Sequence, residues 1–382
     1  MSWLEKTIFV TGATGFIGGR VCERLVQAGA RDVRALVHSV QRSPRIARLP
    51  IRLCPGNLLE RTSLRDALGD AQVVIHCGLG DARGILRGTE NMLRAAESRG
   101  VQRFVHMSTA AVYGYTPPPG SETEDAPIRP TGDTYCDNKV RAERAVNRYG
   151  RRGLPVVILR PSIVYGPYSF WSTRLLGELR AGEVALIDDG AGACNTTHVD
   201  NLIDAIFLCL DKEQSVGKTF FITDGERVTW GAFIHAHVAM LGWADDLPRV
   251  SSADLEAYYK AQPGIWAASV REARRVIFSP ELRRLLMRIP ACERMLVRVW
   301  GRFQAIEEGK KERLRSRLRG NGARRVLPAS NFRPDRITLA TQTGTVYFSI
   351  EKARTVLGYE PRVPFPAGIR AVEQWLRYAS YL

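Results

Sequence analysis

Short apolar runs alternate with amphipathic stretches through the first half of the chain. Residues 7–10, 33–37, 51–54, 73–76, 103–108 and 156–160 are rich in β-branched and aromatic side chains and predict six strands. Between several of them, residues 16–28, 62–68, 85–99 and 134–149 carry apolar positions at helical spacing. Strand–helix alternation of this kind predicts an α/β fold with a parallel, doubly wound sheet. Ligands of such sheets gather at the carboxyl ends of the strands. Beyond residue 165 the pattern loosens into longer helices with a few short strands. The predicted division is a core over 1–165 and a smaller, mostly helical substrate region over 166–382. Elements near 195–225 are expected to return to the core.

A different pattern occupies residues 280–319. Leu282, Leu285, Leu286 and Ile289 fall on one helical face with Arg283, Arg284 and Arg288 between them. Cys292, Met295, Leu296, Val299, Phe303 and Ile306 continue the stripe beyond Pro290. Arg271 to Arg336 hold 19 Lys/Arg against 7 Asp/Glu, so +12 of the formal +16 resides there. The excess charge marks a basic helical insert at about 245–340. It is expected to pack on the core or on a twin subunit, with peripheral contact to an anionic membrane as the sharper alternative. No nucleic-acid motif accompanies the charge, so nucleic acid is not an expected partner.

At 382 residues with 45% apolar content the chain can bury a substantial core. It has no apolar run of spanning length and enters a strand within a few residues, so neither a spanning helix nor a signal peptide is expected. Seven scattered cysteines without a CxxC pair suggest reduced thiols in a cytoplasmic protein. No metal site is expected: His235 and His237, two apart, point to different sides of a helix.

Three constellations carry chemistry. The run Thr11-Gly12-Ala13-Thr14-Gly15-Phe16-Ile17-Gly18 follows the first strand and opens a helix. Its glycines allow a tight turn and a close backbone approach, and the bare helix N–H groups suit a dinucleotide pyrophosphate. Tyr135 and Lys139 lie four apart on one helix face, where an ammonium can lower the phenol pKa for proton transfer. Ser108 and Thr109 sit at a strand end, where a hydroxyl can bind the substrate oxygen that Tyr135 protonates.

In this order the three motifs resemble the extended short-chain dehydrogenase/reductase family, the group of NAD-dependent epimerase/dehydratase and 3β-hydroxysteroid-dehydrogenase-like enzymes. Supporting phrases are Gly88-Thr89-Glu90-Asn91, Ala110-Ala111-Val112-Tyr113-Gly114, Tyr165-Gly166-Pro167 and His198-Val199-Asp200-Asn201-Leu202. The resemblance spans residues 6 to about 242 and resumes at 348–375. It implies a Rossmann-type fold, an NAD or NADP cofactor and commonly a homodimer. Tyr135 would be the acid/base, Lys139 its tuner and the holder of the nicotinamide ribose, and Thr109 the residue that orients the substrate hydroxyl, with Ser108 as fallback. Gly12, Thr14, Gly15, Phe16, Ile17 and Gly18 would serve the pyrophosphate.

Departures from the family pattern refine this. Where an acidic residue commonly grips the adenosine ribose, the chain has His38 and Ser39, with Arg42 nearby, which leans toward NADP. Asn57, followed by Leu58, replaces the aspartate near the adenine. Ala110 and Ala111 stand where dehydratases and decarboxylases of the family carry acidic residues, which argues for epimerisation or simple ketone/alcohol interconversion. The expected substrate is a nucleotide-sugar, with epimerisation ranked ahead of net reduction. The alternatives are a hydroxysteroid-dehydrogenase-like ketoreductase on an apolar or lipid-linked substrate, and a cofactor-binding membrane or partner module with little catalysis.

Overall fold

A computed structural model of the chain describes residues 3–78, 84–244, 246–261 and 334–382. Its contacts divide the chain into two units, Met1–Arg249 with Phe332–Leu382, and Val250–Asn331. In the second unit the described part holds one helix, Ser252–Ala261. The expected amphipathic helices at 280–319 lie outside the described residues.

The first unit is built on strands β1 (Thr7–Thr11), β2 (Asp32–Val37), β3 (Arg52–Pro55), β4 (Val73–His76), β5 (Arg103–Met107) and β6 (Val156–Pro161). Short strands β7 (Ile163–Tyr165), β8 (Leu186–Ile187) and β9 (Thr196–His198) follow, then β10 (Thr219–Ile222). The central sheet has seven strands in the order β10-β6-β5-β4-β1-β2-β3, and its pairings are parallel. This is the doubly wound Rossmann-type architecture. The strand order reverses between β1 and β4, which opens the crevice where such sheets bind ligands.

Side-chain alternation along β1 divides the core. Ile8 and Val10 pack with Val21, Leu25, Leu202 and Ile206 of helices Phe16–Gln27 and Val199–Asp211. Phe9 faces the opposite layer, with Leu64, Met92 and Val146 of helices Arg61–Leu68, Thr89–Ser98 and Thr134–Arg151. Both faces of the sheet are covered, so its strands read as continuous apolar runs. The region read as one helix over 85–99 differs: a π-helical turn, Gly84–Gly88, precedes the α-helix Thr89–Ser98. There the Thr89 hydroxyl donates to the Ile85 carbonyl at 2.6 Å, while Gly88 lies against Leu58, where a Cβ would come within 3.2 Å of that side chain.

A third apolar cluster lies beyond the sheet. Leu176, Leu186, Phe233 and Ile234 pack there with Val372 and Leu376 of helix Phe365–Tyr378. Helix Arg336–Thr343 and the segment after it return the chain to this region. Among the described residues no helix is long and apolar enough to cross a membrane.

Candidate active site

The glycine turn is shaped by its own backbone. Gly12 has φ +69°, and a Cβ on it would sit 2.6 Å from the Cys77 carbonyl oxygen. A Cβ on Gly18 would sit 2.3 Å from the Gly12 carbonyl oxygen. Gly15 is different: it is exposed, and its nearest neighbour would be 3.2 Å away. Gly15 caps helix Phe16–Gln27 with no side-chain hydrogen bond, so the first-turn N–H groups stay bare beside the exposed Thr14. Bare donors and a positive helix end at the exposed Gly15 fit a pyrophosphate.

At the end of β2, His38 is exposed and the Ser39 hydroxyl donates to Gln41 Oε1 at 2.5 Å. The Arg42 side chain lies outside what the structure describes. Asn57 spends its amide locally: Oδ1 accepts from the Leu59 N–H at 2.9 Å and Nδ2 donates to Glu60 at 3.1 Å. Leu58 fills the space over Gly78 and Gly88.

The two hydroxyls at the end of β5 part ways. Ser108 Oγ donates to Glu143 Oε1 at 2.5 Å, inside a buried ion pair that Arg160 makes with Glu143 at 2.7 and 2.9 Å. Thr109 lines a cavity and accepts from the Ala111 N–H at 3.2 Å. Tyr135 lines the same cavity and hydrogen-bonds Thr109. Burial pushes the Tyr135 phenol up from its ordinary range, and the Thr109 hydrogen bond acts against that rise.

Lys139 is buried, and its Nζ donates to the Met107 carbonyl at 2.8 Å. Burial pushes its ammonium down to about 8, with Glu143 acting in the opposite direction. The groups that act on Tyr135 are burial, Thr109, Cys136 and Asp133 rather than this ammonium. His76 and His106 stack nearby with ring centroids 5.5 Å apart. Burial, aided by the Lys139 charge, pushes His76 down to about 3, so its ring stays neutral.

The cavity at Thr109 and Tyr135 encloses about 200 Å³. Ile163, Trp171, Trp230, Ile337, Val346 and Phe348 form its apolar wall, and among the described residues no charged side chain lines it. The far wall is pinned by side-chain bonds to backbone. Trp230 Nε1 donates to Thr341 O at 2.9 Å, and Asn195 bridges Val346 O and the Phe348 N–H, each at 2.9 Å. Arg174 pairs with Glu178 at 2.7 Å, and Arg180 donates to the Tyr381 carbonyl; neither lines the cavity.

Sequence reasoning missed the Glu143–Arg160 pair and the tryptophan wall. Glu143 lies four residues beyond Lys139 on the same helix face, a spacing that signals contact. Trp171 and Trp230 had no such signal, because the third cluster that assembles them joins distant segments.

The family model described as "NAD dependent epimerase/dehydratase family" matches residues 8–222. A 4-hydroxy-2-methyl-3-oxo-4-farnesyl-3,4-dihydroquinoline-1-oxide ketoreductase of Stigmatella aurantiaca is 28% identical over 278 residues, covering 70% of this chain and 82% of the relative. A 2-alkyl-3-oxoalkanoate reductase of Stenotrophomonas maltophilia (strain K279a) is 27% identical over 263 residues, covering 64% and 78%. The crystal structure of a UDP-glucuronic acid 4-epimerase from Bacillus cereus in complex with NAD superposes with a TM-score of 0.66. It shares 19% identity and covers 98% of this chain and 99% of that one, a likeness of fold.

Proposed function

The chain belongs to the NAD dependent epimerase/dehydratase family, and within it we propose that this enzyme interconverts a ketone and a secondary alcohol on a large apolar substrate. The aromatic and aliphatic wall around Thr109 and Tyr135, which holds no charged side chain among the described residues, carries this reading. A nucleotide-sugar asks for cations against its diphosphate, and Arg174 and Arg180 spend theirs elsewhere. The Stigmatella ketoreductase and the Stenotrophomonas 2-alkyl-3-oxoalkanoate reductase agree with an apolar ketone.

Thr109 donates to the substrate oxygen and fixes its direction. Tyr135 gives its phenolic proton to that oxygen during reduction and takes it back during oxidation. Lys139, held on the Met107 carbonyl, stands ready to bind the ribose. The bare first turn after Gly15 receives the pyrophosphate. The absence of a carboxylate at His38 and Ser39, with Arg42 nearby, supports NADP over NAD. When bound, the nicotinamide supplies or accepts the hydride. The reading includes a cytoplasmic homodimer; membrane contact through residues 280–319 would show as binding to anionic vesicles that salt reverses.

The test follows NADPH and NADH absorbance with aliphatic 3-oxo esters and with UDP-sugars. Consumption of reduced cofactor with the esters is the expected result. Epimerised UDP-sugar with no net change in cofactor would overturn the reading and restore the epimerase.

A further inference from the structure

A second cavity, of about 510 Å³, adjoins the first, and Gly114 and Tyr115 wall both. Its volume is that of a site for a whole small-molecule fragment. Several polar groups around it are already engaged. The Thr116 hydroxyl donates to Ala340 O at 2.9 Å, and that of Ser121 to Pro118 O at 2.5 Å. The Thr131 hydroxyl donates to Asp137 at 3.0 Å, and Asp133 caps the helix of Tyr135 by accepting from the Cys136 N–H at 2.9 Å. Arg129, on the lining, is exposed and keeps its charge in water. What remains for a ligand is mainly Pro118, Pro119, Pro127, Pro130, Ala126 and the Tyr113 ring. Prolines hold φ fixed, so this wall is shaped before any ligand arrives and ordering it costs little.

We propose that this second cavity receives a hydrocarbon arm of the ketone while the carbonyl sits at Thr109 and Tyr135, with Tyr115 as the partition between arm and reacting centre. The inference rests on the ketone reading and adds to it a substrate with at least one long apolar chain. Tyr115 lies beside the Asp133 cap, its hydroxyl 3.4 Å from Oδ1, so the partition is tied to the helix that carries Tyr135. An arm running past Tyr115 therefore helps set where the carbonyl stops.

The experiment compares ethyl acetoacetate with ethyl lauroylacetate, by turnover and by calorimetric binding, on the full chain and on Ala126→Phe and Ala340→Phe. These substitutions narrow the cavity from separate segments, so Ala340→Phe decides where Ala126→Phe does not fold. The wild type is expected to favour the long ester about tenfold in kcat/KM, and each variant to erase most of that ratio. A ratio untouched by both variants overturns the arm site and leaves the ketone reading standing. Tight binding of the long ester that both variants weaken, without turnover of either ester, upholds the arm site and overturns the ketone reading. Neither binding nor turnover overturns both.

Discussion

Ser108 Oγ lies 2.5 Å from Glu143 Oε1, turned into the buried pair with Arg160, while its neighbour Thr109 faces the cavity that Tyr135 lines. Strand alternation at the end of β5 sends adjacent hydroxyls to different work. Thr109→Ala is expected to lower kcat about tenfold or more and to cost about 0.5–2 kcal/mol of stability, because the Ala111 N–H loses its cap. Ser108→Ala is expected to keep kcat within about threefold and to cost about 1–3 kcal/mol of stability, because a buried carboxylate loses a donor. Steady-state rates and thermal melts on both variants separate the roles; the reverse pattern would make Ser108 the residue that orients the substrate oxygen.

Tyr135→Phe removes only the phenolic oxygen. Proton transfer by a positioned side chain contributes roughly 10²–10⁴-fold, so turnover is expected to fall by about that factor. Cofactor affinity, measured by fluorescence titration of NADPH, is expected to stay within about threefold. A variant that still turns over at near wild-type rate would assign the acid/base step elsewhere and favour a binding role for the protein.

The three motif glycines are expected to respond differently to alanine. At Gly18 a Cβ meets the Gly12 carbonyl at 2.3 Å, and at Gly12 it meets Cys77 O in a positive-φ backbone, so both variants lose stability without any cofactor. At Gly15 the nearest atom is 3.2 Å away. Gly15→Ala is expected to melt within a few degrees of wild type yet bind cofactor about tenfold more weakly, because its methyl occupies the space above the bare helix N–H groups. Equal melting losses at all three positions would show that the turn, rather than a ligand, demands Gly15.

The sheet was legible because its inner strands are buried on both sides and each covering helix repeats its apolar face locally. Thr7–Thr11 and Val156–Pro161 needed only their own composition. Tyr135 and Lys139 were legible by spacing, yet spacing could not say that Lys139 is held by Met107 or that burial dominates the phenol. The apolar wall was not legible: Trp171, Trp230 and Phe348 meet only after distant segments fold together, pinned by Asn195 and the Trp230 indole. Substrate class depends on that wall, which neither spacing nor composition discloses.

Cofactor choice turns on the end of β2. Ser39→Asp places a carboxylate where it can accept from a ribose hydroxyl and repel a 2′-phosphate. The wild type is expected to favour NADPH, and the variant to move the NADPH/NADH ratio of kcat/KM toward NADH by about tenfold or more. A wild type that already prefers NADH would refute the lean to the phosphorylated cofactor, whatever the variant does.

Lys139 makes stability depend on pH in a stated direction. Burial lowers its ammonium from 10.5 to about 8. Below about 8 both folded and unfolded chains hold this proton, and the cost of burying the charge is present in full. Between about 8 and 10.5 the unfolded chain binds more protons than the folded one, so stability rises with pH across that window. The shift corresponds to about 3 kcal/mol, of which the lost Met107 hydrogen bond offsets about 1 when the lysine is removed. Lys139→Met is therefore expected to melt above the wild type near pH 7, with the gap closing toward pH 10, while turnover collapses. Thermal melts across that range, set beside activity, check both halves. A variant that melts below the wild type at pH 7 would mean that Glu143 and Met107 compensate the buried charge completely.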